Sequence, residues 1–257
     1  MQKIKAVFRN VADSTHARFK NSRCLLTISV GQATHEGEMF EATMELVNAS
    51  FDSCILLIDD TLQRHTMALN KPEEADFYNN IALQEGELWL ARNKKYYSSL
   101  TIPLKIMRWD FWLNHPKFNA KRNEIIQLTE NDLAYKSTFV HSIEAFLKKY
   151  CERLVDTTHF DIEKARRLSF DFVVEECTAL SLWPELFCHY EVYPNRHNKA
   201  IEESRKRFVL AHYPNLLHAV TIGFKNARQI RPQQFTLIQT REGTSENVND
   251  RIFEKYY

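Results

Sequence analysis

Two hydrophobic periods share the first third of the chain. Cys24 to Gly31, CLLTISVG, is a continuous, partly β-branched apolar run ending in small residues, the pattern of a buried parallel strand meeting its loop. CILLIDD, from Cys54 to Asp60, repeats that pattern. Between the two runs Phe40, Met44 and Val47 recur at helical spacing, so strand, helix and strand form a βαβ unit. The pattern predicts a polar-rich helix from Pro72, a favoured first-turn residue, to about Ser99, and then a strand from Pro103 to Trp109. HPKFN breaks the pattern. Beyond it the spacing predicts helices over roughly 117–128 and 131–153, and a third that Asp161 caps and that runs through RRLSFDFVVEECTAL. FCHYEVY reads as a strand. After Pro194 a charged helix is expected near 197–208, a strand AVTIGF at 219–224 and another, FTLIQT, at 235–240. About 243–257 is expected to be a loosely ordered tail.

Composition bounds this picture. The 257 residues, 44% hydrophobic and 26% charged, suffice for a substantial core, and without a repeat or low-complexity linker the expectation is one α/β domain over 1–257. No run reaches the ~18 apolar residues of a spanning helix, and MQKIKAVFRN has no apolar signal-peptide core, so a cytoplasmic protein with no membrane partner is expected. The cysteines Cys24, Cys54, Cys151, Cys177 and Cys188 are odd in number and scattered, which suits small buried side chains. With 34 basic and 33 acidic residues, any nucleic-acid contact must be a local patch.

The candidate chemistry begins with Ser29, at the carboxyl end of the first buried strand, where open parallel sheets place ligand-binding groups. Downstream, FVVEE sets Phe172 and Glu176 one helical turn apart, and FCHYEVYP ends a strand with Tyr193 and Pro194. Together with Ile28-Ser29-Val30-Gly31 and LIDDTLQRHTM, this ordered set resembles the tRNA-dependent cyclodipeptide synthases over approximately Cys24 to Pro194. Gln32, three residues after the serine, and the Tyr-Pro pair are similar to the subfamily marked by a variable residue, a tyrosine and a proline. The resemblance implies a single Rossmann-like domain with a mostly parallel sheet flanked by helices, like the catalytic domain of class I tyrosyl- and tryptophanyl-tRNA synthetases. No HIGH-like or KMSKS-like segment, Walker loop or glycine-rich fingerprint is present in the sequence, so no cofactor is expected and the activation energy must arrive with an aminoacyl ester.

The resemblance also implies roles. Ser29 takes the first aminoacyl group as an ester; the amine of a second aminoacyl-tRNA attacks that ester to give a dipeptidyl enzyme; ring closure then releases a diketopiperazine. Glu176 binds the α-amino group and takes a proton from it, and Tyr193 relays a proton during closure. Gly31, Gln32, Phe172 and Pro194 are expected around the substrate, although Phe172 stands where the family usually has a tyrosine hydroxyl. Glu175, beside Glu176, is expected to be a solvated helix carboxylate whose replacement is nearly silent. Aminoacyl-tRNAs are the expected partners and DNA is not. Arg92, Lys94 and Lys95 are the expected tRNA contacts, with Arg205, Lys206 and Arg207 as the alternative patch. Asp59 and Asp60 suit helix capping better than metal binding, so no metal is expected, and His35 is expected to open the first helix. Two rival readings stand beside this one. One is a serine hydrolase or acyltransferase using Ser29 with His35 or His65, which lacks a G-x-S-x-G motif. The other is a noncatalytic tRNA- or nucleotide-binding domain.

Overall fold

The computed structural model describes residues 3–9, 11–154 and 160–226. In chain order its elements are β1 (Lys5–Arg9), α1 (Asp13–Phe19), β2 (Arg23–Ser29), α2 (Gly37–Ser50), β3 (Ser53–Asp59), α3 (Arg64–Met67), α4 (Asn79–Tyr97), β4 (Leu104–Arg108), α5 (Asp110–Leu113), α6 (Phe118–Asn131), α7 (Leu133–Cys151), α8 (Ile162–Leu182), β5 (Tyr190–Tyr193), α9 (Lys199–Ser204) and β6 (His218–Lys225). The strands form one sheet in the order β1-β6-β5-β2-β3-β4. Among the described residues only β1, at the edge, runs antiparallel to its neighbour; the other pairings are parallel.

The continuous apolar runs become β2 and β3 because both faces of the sheet are covered. Alternation along the strands separates two cores. Leu25, Ile55, Leu57 and Met107 pack with α6, α7 and α8 on one face, while Leu26, Ile28, Leu56 and Val192 meet α2 and Trp89 of α4 on the other. Phe40, Met44 and Val47 are buried on α2 as their spacing requires. The Asp161 side chain caps α8 by accepting from the Lys164 N–H at 3.0 Å. Cys24, Cys54, Cys177 and Cys188 are buried free thiols, and Cys151 is half-buried.

Several boundaries differ from the pattern's expectation. The helix expected from Pro72 begins at Asn79, after a 3-10 turn over Ala75–Tyr78. The carbonyls of Lys71, Pro72 and Glu73 instead accept from the Lys164 ammonium at 2.8, 3.1 and 2.7 Å, which holds them out of a helical ladder. The charged helix near 197–208 is divided: Asn198 caps α9, and a π-helical turn follows over Arg205–Leu210. Asp132 caps α7 and separates it from α6. β1 and α1 were not anticipated; β1 is too short and too exposed for an apolar pattern. The expected strand at 235–240 and the tail at 243–257 lie outside the described residues.

Candidate functional site

From β2 the sheet grows in two directions, through β3 and β4 on one side and β5 and β6 on the other. The carboxyl ends of β2 and β5 therefore flank the topological switch point, where doubly wound sheets open a crevice. Ser29 ends β2 and Tyr193 ends β5. Beyond Ser29, Gly31 takes a φ of 79°, a conformation that favours glycine, and a 3-10 turn over Ala33–His35 leads into α2. His35 thus precedes α2 instead of opening it. Its Nδ1 accepts from the Ser29 backbone N–H at 2.8 Å, and its Nε2 faces the Asn195 amide at 3.5 Å. Ser29 is itself buried.

Tyr193 joins the parts of the site. Its ring stacks on His197 at 4.8 Å and 15°, and meets the edge of His35 at 5.6 Å. Burial raises the pKa of its hydroxyl well above the usual tyrosine value; side-chain hydrogen bonds to Ser29 and Asn195 pull down, and the charges of Glu176 and Asp59 push up. The group is therefore a neutral hydroxyl near neutral pH. The Asn195 amide donates to Gln32 Oε1 at 3.1 Å and to Thr34 Oγ1 at 3.2 Å, tying the loop after β5 to the loop after β2. Pro194, between Tyr193 and Asn195, is buried.

A cavity of about 490 Å³ opens beside Tyr193, walled by Phe172, Val173 and Glu176 of α8 and by Ile143 and Phe146 of α7. Glu176 keeps some accessible surface because it faces this cavity, yet it lies deep in the protein. Burial pushes its carboxyl up to about 8; Glu191 adds to the shift and Arg205 opposes it. Glu191 is fully buried against Arg205 and 3.2 Å from His197, which hold its own carboxyl down at about 2 despite burial. Ser29 is not on the cavity wall. Phe172 is buried there, with the ring of His65 edge-on at 6.4 Å.

Two expectations need correction. Glu175 is not solvated: it is buried, takes two bonds from Arg64 at 2.8 and 2.5 Å and one from Trp109 Nε1 at 2.8 Å, and lies 3.3 Å from His65. Burial alone would raise its pKa, but His65 and Arg64 outweigh that and hold it at about 2. The alternative basic patch is largely spent inside the fold. Arg205 is buried on Glu191, and Arg207 pairs with Asp132 and Glu203. Arg92, Lys94 and Lys95 are exposed on α4, but Arg92 already pairs with Glu36 at 3.0 Å. Asp60 does cap the next turn, accepting from the Thr61 N–H at 2.7 Å, and also pairs with Arg108.

Asn195, His197 and Glu191 were not anticipated from the sequence, nor was the pairing of Arg205 with Glu191. Only Glu191 carried a signal, as a charged residue inside the strand YEVY that buries both faces.

No protein-family model and no curated protein matches the chain. Among solved structures, a cyclodipeptide synthase from Fluoribacter dumoffii is 38% identical with a TM-score of 0.83, over 87% of this chain and 99% of that one. The chain belongs to the cyclodipeptide synthases. The synthase fold is shared at lower identity by an enzyme from Candidatus Glomeribacter gigasporarum solved bound to Phe-tRNAPhe, 18% identical with a TM-score of 0.70 over 91% and 97% of the two chains. It is shared too by a Mycobacterium tuberculosis protein described as relating the cyclodipeptide synthetases to type I tRNA synthetases, 9% identical with a TM-score of 0.58 over 87% and 93%. Among the described residues of this synthase, no helix is long and apolar enough to cross a membrane.

Proposed function

We propose that this synthase joins the aminoacyl groups of two aminoacyl-tRNAs by a ping-pong route through Ser29, and that it belongs to the subfamily marked by a variable residue, a tyrosine and a proline. The observation that carries the reading is the convergence at the switch point of the sheet, where Ser29 ends β2, Tyr193 ends β5 and Glu176 of α8 shares a cavity wall with Tyr193. Ser29 Oγ attacks the first ester, its bond to the acyl carbon forms, and the bond to the ribose oxygen breaks. Tyr193 passes the serine proton to that leaving oxygen, so the tRNA departs as a neutral alcohol. His35 does not act as the base, because its Nδ1 is engaged by the Ser29 N–H.

Bond counting reverses one step of the sequence expectation. If the second substrate's amine attacked the Ser29 ester, the dipeptide would remain on tRNA and Ser29 would be free. A dipeptidyl enzyme forms only when the amine of the Ser29-bound residue attacks the second aminoacyl-tRNA ester. The new amine then attacks the Ser29 ester, closing the ring and releasing the serine. Glu176 takes the proton from each attacking amine and gives it up through Tyr193 to the departing oxygen, the ribose oxygen in the first attack and Ser29 Oγ at ring closure. Its value of about 8 lies close to the ~7.7–8.0 of an α-amine, so the transfer is nearly level in energy. Gly31 turns the chain after Ser29, Gln32 and Pro194 fix the two loops, and Phe172 offers an apolar wall without a hydroxyl. Arg92, Lys94 and Lys95 contact tRNA phosphates. Incubation with mixed aminoacyl-tRNAs, followed by mass spectrometry, should give a cyclic dipeptide; ester hydrolysis without that product would reject the reading.

A further inference from the structure

The wall of the cavity beside Tyr193 includes Lys149 from the last turn of α7, Arg196 from the loop after β5, and Lys199 from the first position of α9. All three are exposed, so they stand at the opening. Three arginines of α6 and α8 are neutralised: Arg122 by Asp171, Arg166 by Glu144 and Glu163, and Arg167 by Glu74. Among the described residues, Lys149, Arg196 and Lys199 have no such ion pair. Among the described residues the one acid on the wall is Glu176, set back from the rim on α8. The cavity thus has a largely apolar interior and a positive rim, which suits an acyl group carried by a polyanion.

The rim faces one particular step. Glu176 is on the cavity wall and Ser29 is not. An amine of the Ser29-bound residue held at Glu176 is therefore presented to the cavity, and the ester that it attacks must arrive through the opening. The α4 cations lie elsewhere: the second half of α4, which carries them, packs through Trp89 against Phe40 of α2 on one face of the sheet, whereas α7 and α8 cover the other. We propose that Lys149, Arg196 and Lys199 bind the phosphates at the 3′ end of the second aminoacyl-tRNA, so that the two substrates approach from opposite faces of the sheet. This rests on the two-step reading above.

The test separates the two half-reactions. Wild type and a Lys149→Ala, Arg196→Ala, Lys199→Ala variant are loaded with one labelled aminoacyl-tRNA, and the label retained on protein is followed. The loaded enzymes are isolated and chased with a second aminoacyl-tRNA at several salt concentrations. Loading should be unchanged within about twofold, while KM in the chase rises roughly tenfold or more, and loss of three contacts at ~0.7 each flattens its log–log salt slope by about 2. A single Lys199→Glu variant should shift the chase in the same direction. Equal weakening of both half-reactions, or no change in either, would overturn the proposal. Wild type that takes no label would instead bring down the two-step reading, and the proposal with it.

Discussion

Replacing Glu176 by Gln tests both the burial of this carboxyl and its proposed work. In the folded chain the group titrates at about 8, against an ordinary 4.5. Between those values the folded state holds a proton that the unfolded state has lost, so stability is fully present below pH 4.5 and declines as pH rises through 8. The slope reaches at most about 1.4 kcal/mol per pH unit, less where water in the cavity screens the charge. Glutamine has nearly the same shape and never ionises. Urea unfolding of both proteins at pH 5 and pH 8 should show the variant gaining on wild type by more than ~1 kcal/mol across the interval. Titrations common to both proteins cancel in the difference. In synthesis the variant loses the charge that holds the ammonium and the base that deprotonates it, so turnover should fall roughly tenfold to a hundredfold, since a charge-assisted hydrogen bond contributes ~1.5–3 kcal/mol. Parallel pH dependences would refute the raised pKa. Undiminished synthesis would refute the role in amine handling.

Glu175→Gln strips the charge from a buried pair with Arg64 and should cost ~3 kcal/mol of stability, read as a lower urea midpoint. Because the Glu175 carboxyl sits near 2, below its ordinary 4.5, its contribution is present above pH 4.5 and is lost as pH falls toward 2; a silent substitution would contradict the burial of that pair. Changing Arg92, Lys94 and Lys95 together to Ala should weaken tRNA binding at low salt and flatten its salt dependence by about 2 in log–log slope; the Glu36 pairing of Arg92 sets a smaller effect for Arg92→Ala alone. An unaltered affinity in filter binding would remove α4 from the tRNA surface.

The legible parts of the fold were those where one physical cause dominates. Two-sided burial marked β2 and β3, helical spacing marked α2, and Asp161 announced α8 because an N-cap acts within four residues. The start of α4 was not legible, since Lys164, distant in sequence, captures the carbonyls after Pro72. The same limit governs the site. Ser29, Glu176 and Tyr193 were named through the family resemblance that a strand end, a helical turn and a Tyr-Pro pair carried together, and not from any one of those features. Local spacing placed Glu175 about 100° round the helix from Glu176 and suggested solvent there, but α3 and Trp109 occupy that side and make it a buried ion-pair centre. The partners of Glu191 are equally remote, with Arg205 reaching it from the π-helical turn. Pairings of this kind depend on tertiary contacts that no local period encodes.

The most direct test of the covalent route is the intact mass of the protein after brief incubation with one kind of aminoacyl-tRNA. Wild type should gain the mass of one aminoacyl residue, with the adduct mapped by peptide digestion to Ser29. Ser29→Ala, whose fold should persist because a serine at a strand end contributes little packing, should gain no mass and form no cyclic dipeptide. A cyclic dipeptide formed by Ser29→Ala, or an adduct mapped to another residue, would contradict the role of Ser29.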